Sequence, residues 1–263
     1  MPRLLLLRSD AVRSAVAREL GCDIEYHDSI DSTQTRARAL VAEGVERGIV
    51  VADEQRAGQG TRERVWHAAP GTSLLASWIL RPAPAAPSLF TALAGVAVAR
   101  ALDAVGCEGA RLKWPNDVEL DGRKVAGVLA HGSSDGRGGS LVLGIGINVY
   151  QSEADLPVEL RATATSLALS RRAVDRLGLL ARVSAELDRL GDPAAIVSTR
   201  EEWRERSSLV GAAVTVTVPG RPAFQGAATA IDDDGALLVR TASGVERVVA
   251  GDVRRTRARE EKR

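Results

Sequence analysis

The sequence predicts an α+β protein in two parts: a large unit of interleaved strands and helices over residues 1–207 and a small β-barrel over 208–255, with a charged tail at 256–263. Three observations carry this. Two short apolar runs flank Asp121-Gly122, and Asp-Gly between such runs signals a hairpin, because a type I′ turn needs positive φ at both central residues. Before residue 207, runs of strand length alternate with runs of helical periodicity. From Leu209 the texture becomes short alternating runs, separated by Pro219-Gly220, Asp233-Asp234-Gly235 and Ser243-Gly244, the pattern of a small barrel.

In order along the chain, residues 4–20 have mixed helical periodicity, with Ala11, Val12, Ala15, Val16 and Leu20 on one side and Gly21 as a stop. Ser32 or Thr33 precedes a helical run at 35–42, in position to cap it; the same helix start can offer donors to a ligand oxygen. Residues 48–52 and 73–80 read as strands. The proline-rich segment 82–87 cannot be helical. Ser88 then caps a helix over 89–105, with Leu89, Leu93, Val96, Ala97 and Ala101 inward. After the hairpin, whose second strand covers 124–131, come a flexible turn at 132–139 and a strand at 140–147. Helices follow at 173–190 and 194–206, the latter burying Trp203, and then the alternating runs 214–218, 227–231, 236–240 and 245–249.

Chemistry concentrates in three places. Pro115 bars Trp114 from helical geometry, and Asn116 and Asp117 beside it, with Lys124 just past a tight turn, read as a site on a rigid ribbon. The segment from Gln55 to Trp66 carries Gly58, Gly60 and the arginines 56, 62 and 64, suited to wrapping an anion with backbone amides and forked donors; an exposed charged loop is the plainer reading. Gly144-Ile145-Gly146 lacks the third glycine and following helix of a dinucleotide fingerprint. Glycines inside an apolar strand instead mark close approach by a ligand or a neighbouring strand. Asn148, at the strand end, is either an adenine reader or a turn residue.

Bulk properties narrow the class. With 35 Lys plus Arg against 34 Asp plus Glu, no global field recruits nucleic acid or membrane. Cys22 and Cys107 form no disulfide framework, and His27, His67 and His131 have no metal-ligand spacing. The apolar run at 4–7 is too short for a signal core, so a cytoplasmic protein is expected.

Asp31-Ser32-Thr33-Gln34, the segment Gln55 to Trp66, Lys113-Trp114-Pro115-Asn116-Asp117, Lys124 with Gly127, and Gly144 to Val149 occur in that order. Together they resemble the biotin–protein ligases, also called biotin–[acetyl-CoA carboxylase] ligases or holocarboxylase synthetases. The match is close over about residues 26–150 and looser to the end, where Gly251-Asp252-Val253 resembles the family's closing segment. The resemblance implies a class II synthetase-like mixed central sheet with helices on one side, and an SH3-like C-terminal barrel. It implies biotin and ATP as substrates, Mg²⁺ bridging the phosphates, biotinyl-5′-AMP as intermediate, and a lysine of a biotin carboxyl carrier domain as acceptor.

Carried onto this chain, the resemblance makes Lys124, Arg62 and Arg64 the catalytic cations. Ser32, Thr33 and Gln55 would bind the ureido ring, and Gly58, Gln59, Gly60, Trp66, Lys124 and Gly127 complete the biotin site. Arg62, Arg64, Asn116, Asp117, Asn148 and Asp252 would face ATP, with Asp117 the metal ligand or the orienter of Lys124. It also suggests a homodimer through the central sheets. The few residues before 31 leave no room for the winged DNA-binding domain that some members carry, so no DNA partner and no membrane partner is expected. The family loop reads Gly-Arg-Gly-Arg-x-Gly-Arg-x-Trp; here Gln59 and Thr61 replace arginines and Glu63 a glycine, which predicts weaker retention of the adenylate. A lipoate–protein ligase and a non-catalytic biotin- or nucleotide-binding regulator are the competing readings. The Lys-Trp-Pro-Asn-Asp stretch and terminal β-module weigh against the first, and Lys124, Arg62 and Arg64 against the second.

Overall fold

The computed structural model describes residues 3–84, 86–134, 138–172 and 174–256. The central sheet comprises β1 (Asp23–His27), β2 (Arg47–Ala52), β3 (Ser73–Leu80), β4 (Arg111–Lys113), β5 (Asp117–Leu120), β6 (Arg123–Ser133) and β7 (Ser140–Asn148). Its seven strands lie in the order β1-β2-β3-β7-β6-β5-β4. The sheet is mixed: β1 and β2 are parallel, and the other neighbours are antiparallel. The hairpin forms as expected, with Asp121 at φ 51 and Gly122 at φ 72. β1, five residues of alternating polarity, was not foreseen.

The helices are α1 (Asp10–Leu20), α2 (Thr33–Ala42), α3 (Pro87–Ala104), α4 (Arg176–Arg189) and α5 (Pro193–Arg206). The periodic N-terminal run is divided between a 3-10 turn at Arg3–Arg8 and α1, which ends on left-handed Gly21. α3 starts at Pro87 rather than behind a Ser88 cap. It packs on β4, β5 and β6 and against α4 and α5, which also touch β3 and β4 respectively. α3 is also long and apolar enough to cross a membrane, but it is mostly buried inside the protein. The Trp78 indole N–H donates to Ser184 Oγ at 3.0 Å and ties β3 to α4. Trp203 is buried, as expected.

One feature of the expected layering is corrected: the helices do not all lie on one side. Ile49 and Val51 of β2 join the main core, while Val50 packs with Ala37 of α2, Ile79 and Val142 in a separate cluster. Alternate residues of a strand face opposite ways. α2 therefore covers the face opposite α3, and β2 is apolar and buried from Gly48 to Ala52 because both its faces are covered.

The C-terminal unit comprises β8 (Ala213–Thr217), β9 (Phe224–Ile231), β10 (Leu237–Thr241), β11 (Gly244–Val248) and β12 (Asp252–Arg255), in the order β11-β10-β9-β8-β12. It is a five-stranded antiparallel sheet and not the closed barrel expected. Among the described residues β11 pairs only with β10 and the four-residue β12 only with β8, so the ends never meet. An irregularity at Leu238/Val239 and a core of Val214, Val216, Ala228, Leu237, Val239 and Val253 hold it together. It is bolted to the larger unit at one turn. The Trp114 indole N–H donates to Gly235 O at 2.9 Å, and Arg204 Nε donates to Ile231 O at 3.0 Å. The expected tail from residue 257, the middle of the 132–139 turn and the expected helix start at 173 lie outside the described residues.

Candidate active site

The start of α2 forms one end of a pocket. Ser32 occupies the N-cap position with extended backbone, yet its side chain makes no capping bond. Its Oγ is buried without a partner, so the capping reading does not hold. A buried hydroxyl with no partner costs free energy unless something else binds it. The Thr33 N–H and hydroxyl both donate to Gln55 Oε1, at 2.8 and 2.9 Å, and Ser77 Oγ donates to Thr33 Oγ1 at 2.9 Å. These bonds fix the Gln55 amide with its Oε1 toward Thr33, leaving its NH₂ as a donor.

The floor is made of glycines. A Cβ on Gly146 would fall 2.6 Å from Trp66 Cε2, one on Gly127 3.1 Å from Trp66 Cζ3, and one on Gly144 3.0 Å from Gln34 Cδ. The close approach signalled by Gly144-Ile145-Gly146 is thus made by two side chains, Gln34 and Trp66, lying flat on β7 and β6. Gln34 is held by its Nε2, which donates to Leu129 O at 2.9 Å and meets His131 Nδ1 at 3.3 Å. Burial, then the nearby Arg38, hold the His131 imidazole below its ordinary value, which favours a neutral ring whose Nδ1 accepts.

The glycine–arginine segment folds back on itself. Trp66 N–H donates to Gly58 O at 2.9 Å and Gly60 N–H to Arg64 O at 2.7 Å, and Gln59 bridges Val65. Gly58 is required there, because a Cβ would sit 2.6 Å from Trp66 O. The tip holds Arg62 in the left-handed region, φ 58, a strained conformation for a residue with a side chain. Gln59, Gly60 and Thr61 line the pocket; Arg62 and Arg64 are exposed and do not. The Glu63 side chain lies outside the described groups.

Lys124 stands at the other end. Its Nζ lies 2.6 Å from Asp117 Oδ1 and 5.3 Å from the Trp66 ring centroid. Asn116 is fixed by backbone pairing, Val128 N–H donating to its carbonyl at 3.0 Å, while its side-chain amide donates to Val128 O. Nine of the expected residues, namely Ser32, Thr33, Gln55, Gln59, Gly60, Trp66, Asn116, Lys124 and Gly127, line this one pocket. Gly58 lies immediately behind it and Asp117 is reached through Lys124. Asn148 and Asp252 are not in the lining. Asn148 is buried, its amide shared between Thr165 O and Gln151, and Asp252 stands on β12 beside Arg254. Gln34, Thr61, Leu75 and Ala76 line the pocket without having been foreseen; for Gln34 the available signal was the glycine opposite it. Among the described residues no group of three or more His, Cys, Asp or Glu could hold a metal, and Asp117 is occupied by Lys124. The donor set does not fit a dedicated metal cage.

A pocket with amide-reading donors at one end, a flat aromatic and glycine-lined middle and a lysine at the far end defines a site for an elongated acid with a polar head. A sequence profile of the biotin/lipoate A/B protein ligase family matches residues 26–148, and one of the biotin protein ligase C-terminal domain matches 210–254. The chain is 35% identical over 244 residues to the bifunctional ligase/repressor BirA of Bacillus spizizenii, covering 89% of this chain and 74% of that one. It is 32% identical over 240 residues to the biotin–[acetyl-CoA-carboxylase] ligase of Paracoccus denitrificans, covering 85% and 96%. The solved biotin protein ligase of Aquifex aeolicus in complex with biotin and ATP superposes with a TM-score of 0.76 at 27% identity, covering 89% of this chain and 99% of that one. The chain belongs to the biotin/lipoate A/B protein ligase family, on its biotin protein ligase branch.

Proposed function

We propose that the protein is an ATP-dependent biotin–protein ligase. The observation that carries this is the convergence of Ser32, Thr33 and Gln55 at one end and Lys124 at the other of a single pocket floored by Gly127, Gly144 and Gly146. The ureido ring of biotin takes the Ser32 and Gln55 donors, and its apolar chain runs along Trp66. Its carboxylate reaches Lys124, competing with Asp117 for Nζ. A carboxylate oxygen then attacks the α-phosphorus of ATP, the bond from that phosphorus to the bridging oxygen breaks, and pyrophosphate leaves. Two anions meet in this step, and a fixed cation at their junction lowers its barrier. In the second step the ε-amine of a carrier-domain lysine attacks the acyl carbon and AMP leaves.

Mg²⁺ bound with the nucleotide would neutralise phosphate charge, and Asp117 beside Lys124 is the carboxylate that could hold it; magnesium sites of this kind draw few ligands from protein. Arg62 and Arg64 act as closing cations when the tip of the segment 58–66 turns inward, and Asp252 contributes only if the C-terminal sheet moves with it. Residues 208–255 form the second domain of this reading. The acceptor is a biotin carboxyl carrier domain, and the compartment is the cytoplasm. Residues 129–133 of β6 run past β5 and pair only with β7 among the described residues. That open edge is where a second copy would extend the sheet into a dimer.

Pyrophosphate exchange into ATP tests the reading. Exchange dependent on biotin and not on lipoate is expected; exchange with lipoate alone, or none with either, contradicts it.

A further inference from the structure

We propose that His131 is a positioning residue for biotin capture: its Nδ1 holds the Gln34 amide so that Oε1 accepts a ureido N–H; this rests on the ligase reading above. Gln34 is 4% exposed and lines the pocket, lying so flat on β7 that a Cβ on Gly144 would fall 3.0 Å from its Cδ. Three acceptors surround its Nε2: Leu129 O at 2.9 Å, His131 Nδ1 at 3.3 Å and Val142 O at 3.5 Å. The NH₂ end is therefore turned toward β6 and β7. The Oε1 end is buried and has no partner among the described residues. An acceptor in that state costs free energy until a donor arrives. A ureido ring brings one carbonyl and two N–H groups. Ser32 and Gln55 serve the carbonyl as donors, and Gln34 Oε1 is a buried acceptor in the same lining for an N–H.

The orientation depends on the charge of the ring. A neutral imidazole with its proton on Nε2 accepts at Nδ1, which suits the Gln34 NH₂. A protonated ring donates at Nδ1, and a charge-assisted bond to an amide oxygen is stronger than the neutral bonds it displaces. The amide then turns over: Oε1 goes to the ring, and NH₂ meets the ureido N–H donor against donor. Arg38 of α2 is the charged group that acts on the ring. On β7 its cross-strand neighbour is the apolar Val142, and Ala130 and Gly132 flank it along β6. Burial and Arg38 both hold the imidazole below its ordinary value, so the accepting form prevails at neutral pH and is lost as pH falls. Biotin binds the neutral form better, and by reciprocity bound biotin drives the proton off the ring.

The test is a calorimetric titration with biotin from about pH 8 to about pH 5. It compares the unmutated protein with His131→Asn, which keeps an acceptor near the place of Nδ1 but does not titrate, and His131→Leu, which has no acceptor. A fourth protein, Gln34→Met, has no amide to orient, and thermal unfolding checks that each variant folds. In the unmutated protein the Kd for biotin should rise roughly tenfold toward the acid end, with protons released on binding. That rise should be absent from His131→Asn and Gln34→Met; the biotin carboxylate and Asp117 are common to all four proteins and cancel in the comparison. At the alkaline end His131→Leu should bind biotin more weakly than His131→Asn. A pH profile shared by the unmutated protein and His131→Asn, or one that survives in Gln34→Met, would overturn the proposal, as would equal binding by His131→Leu and His131→Asn. Nitrogen NMR of the unliganded protein at the alkaline end should place the ring proton on Nε2, and a proton on Nδ1 would also overturn it. Absence of biotin binding by the unmutated protein at every pH would strike at the ligase reading instead, while the NMR spectrum would still judge the role given to Nδ1.

Discussion

At the scale of single residues, charge and space decide the chemistry. In the proposed reaction Lys124 is the cation at the junction of carboxylate and phosphate, and Lys124→Ala should lower biotin-dependent exchange by about 10²- to 10³-fold with an unchanged unfolding midpoint; activity near that of the unmutated protein would remove Lys124 from the mechanism. Gly146→Ala places a methyl where the Trp66 ring lies, 2.6 Å from Cε2. Overpacking of this kind costs about 1–3 kcal/mol, so the KM for biotin should rise roughly 5- to 150-fold; an unchanged KM would show that the ring does not form the biotin wall. Gln59 and Thr61 line the pocket where the family pattern has arginines. Restoring both as arginine should slow escape of the adenylate, seen by mass spectrometry as less biotin on bystander albumin, and equal labelling would reject the idea. His131 adds a pH effect. Its folded pKa lies below the unfolded value, through burial first and Arg38 second. The unfolded chain therefore binds more protons as pH falls below about 6.5, and stability is lost there. In chemical denaturation the decline from pH 7 to 5 should be shallower in His131→Gln.

Elements show why some of this was legible in the sequence and some was not. The hairpin at Asp121-Gly122 was readable because only a few residue pairs tolerate two positive φ values in succession, and the observed φ of 51 and 72 agree. Gly122→Val should therefore destabilise the protein by at least about 1 kcal/mol, lowering its denaturation midpoint; a midpoint equal to that of the unmutated protein would exclude the strained turn. The glycines of β7 were readable as a close approach, but not as the seat of Gln34 and Trp66, because those partners come from elements more than 75 residues away in sequence. The arginines at the tip of the 58–66 segment were expected in the pocket from the family resemblance; residue type alone left an exposed charged loop equally open. Backbone pairing of Gly58 with Trp66 and of Gly60 with Arg64 turns them outward, and no composition argument reveals that direction. Asn148 shows the same limit: its amide could be named, but its inward partners Thr165 and Gln151 follow only from the fold.

At the scale of the whole molecule, the central sheet brings the start of α2, the segment before β3, and the β5–β6 hairpin to one place. The layering was legible from alternating runs, except that α2 crosses to the other face and the C-terminal sheet stays open. These two departures depend on which face of β2 is covered and on whether two short edge strands meet, and neither leaves a periodicity to read. The contact of Trp114 with Gly235 joins the motif Lys113 to Asp117 with the C-terminal sheet, so the two units share the task of holding the site.

The most direct measurement of the central claim is a crystal structure with a non-hydrolysable sulfamoyl analogue of biotinyl-5′-AMP. The ureido ring is predicted against Ser32 and Gln55, the chain along Trp66, and the acyl–sulfamoyl linkage within hydrogen-bond reach of Lys124 Nζ. An analogue bound elsewhere, or bound here with its linkage remote from Lys124, would contradict the account.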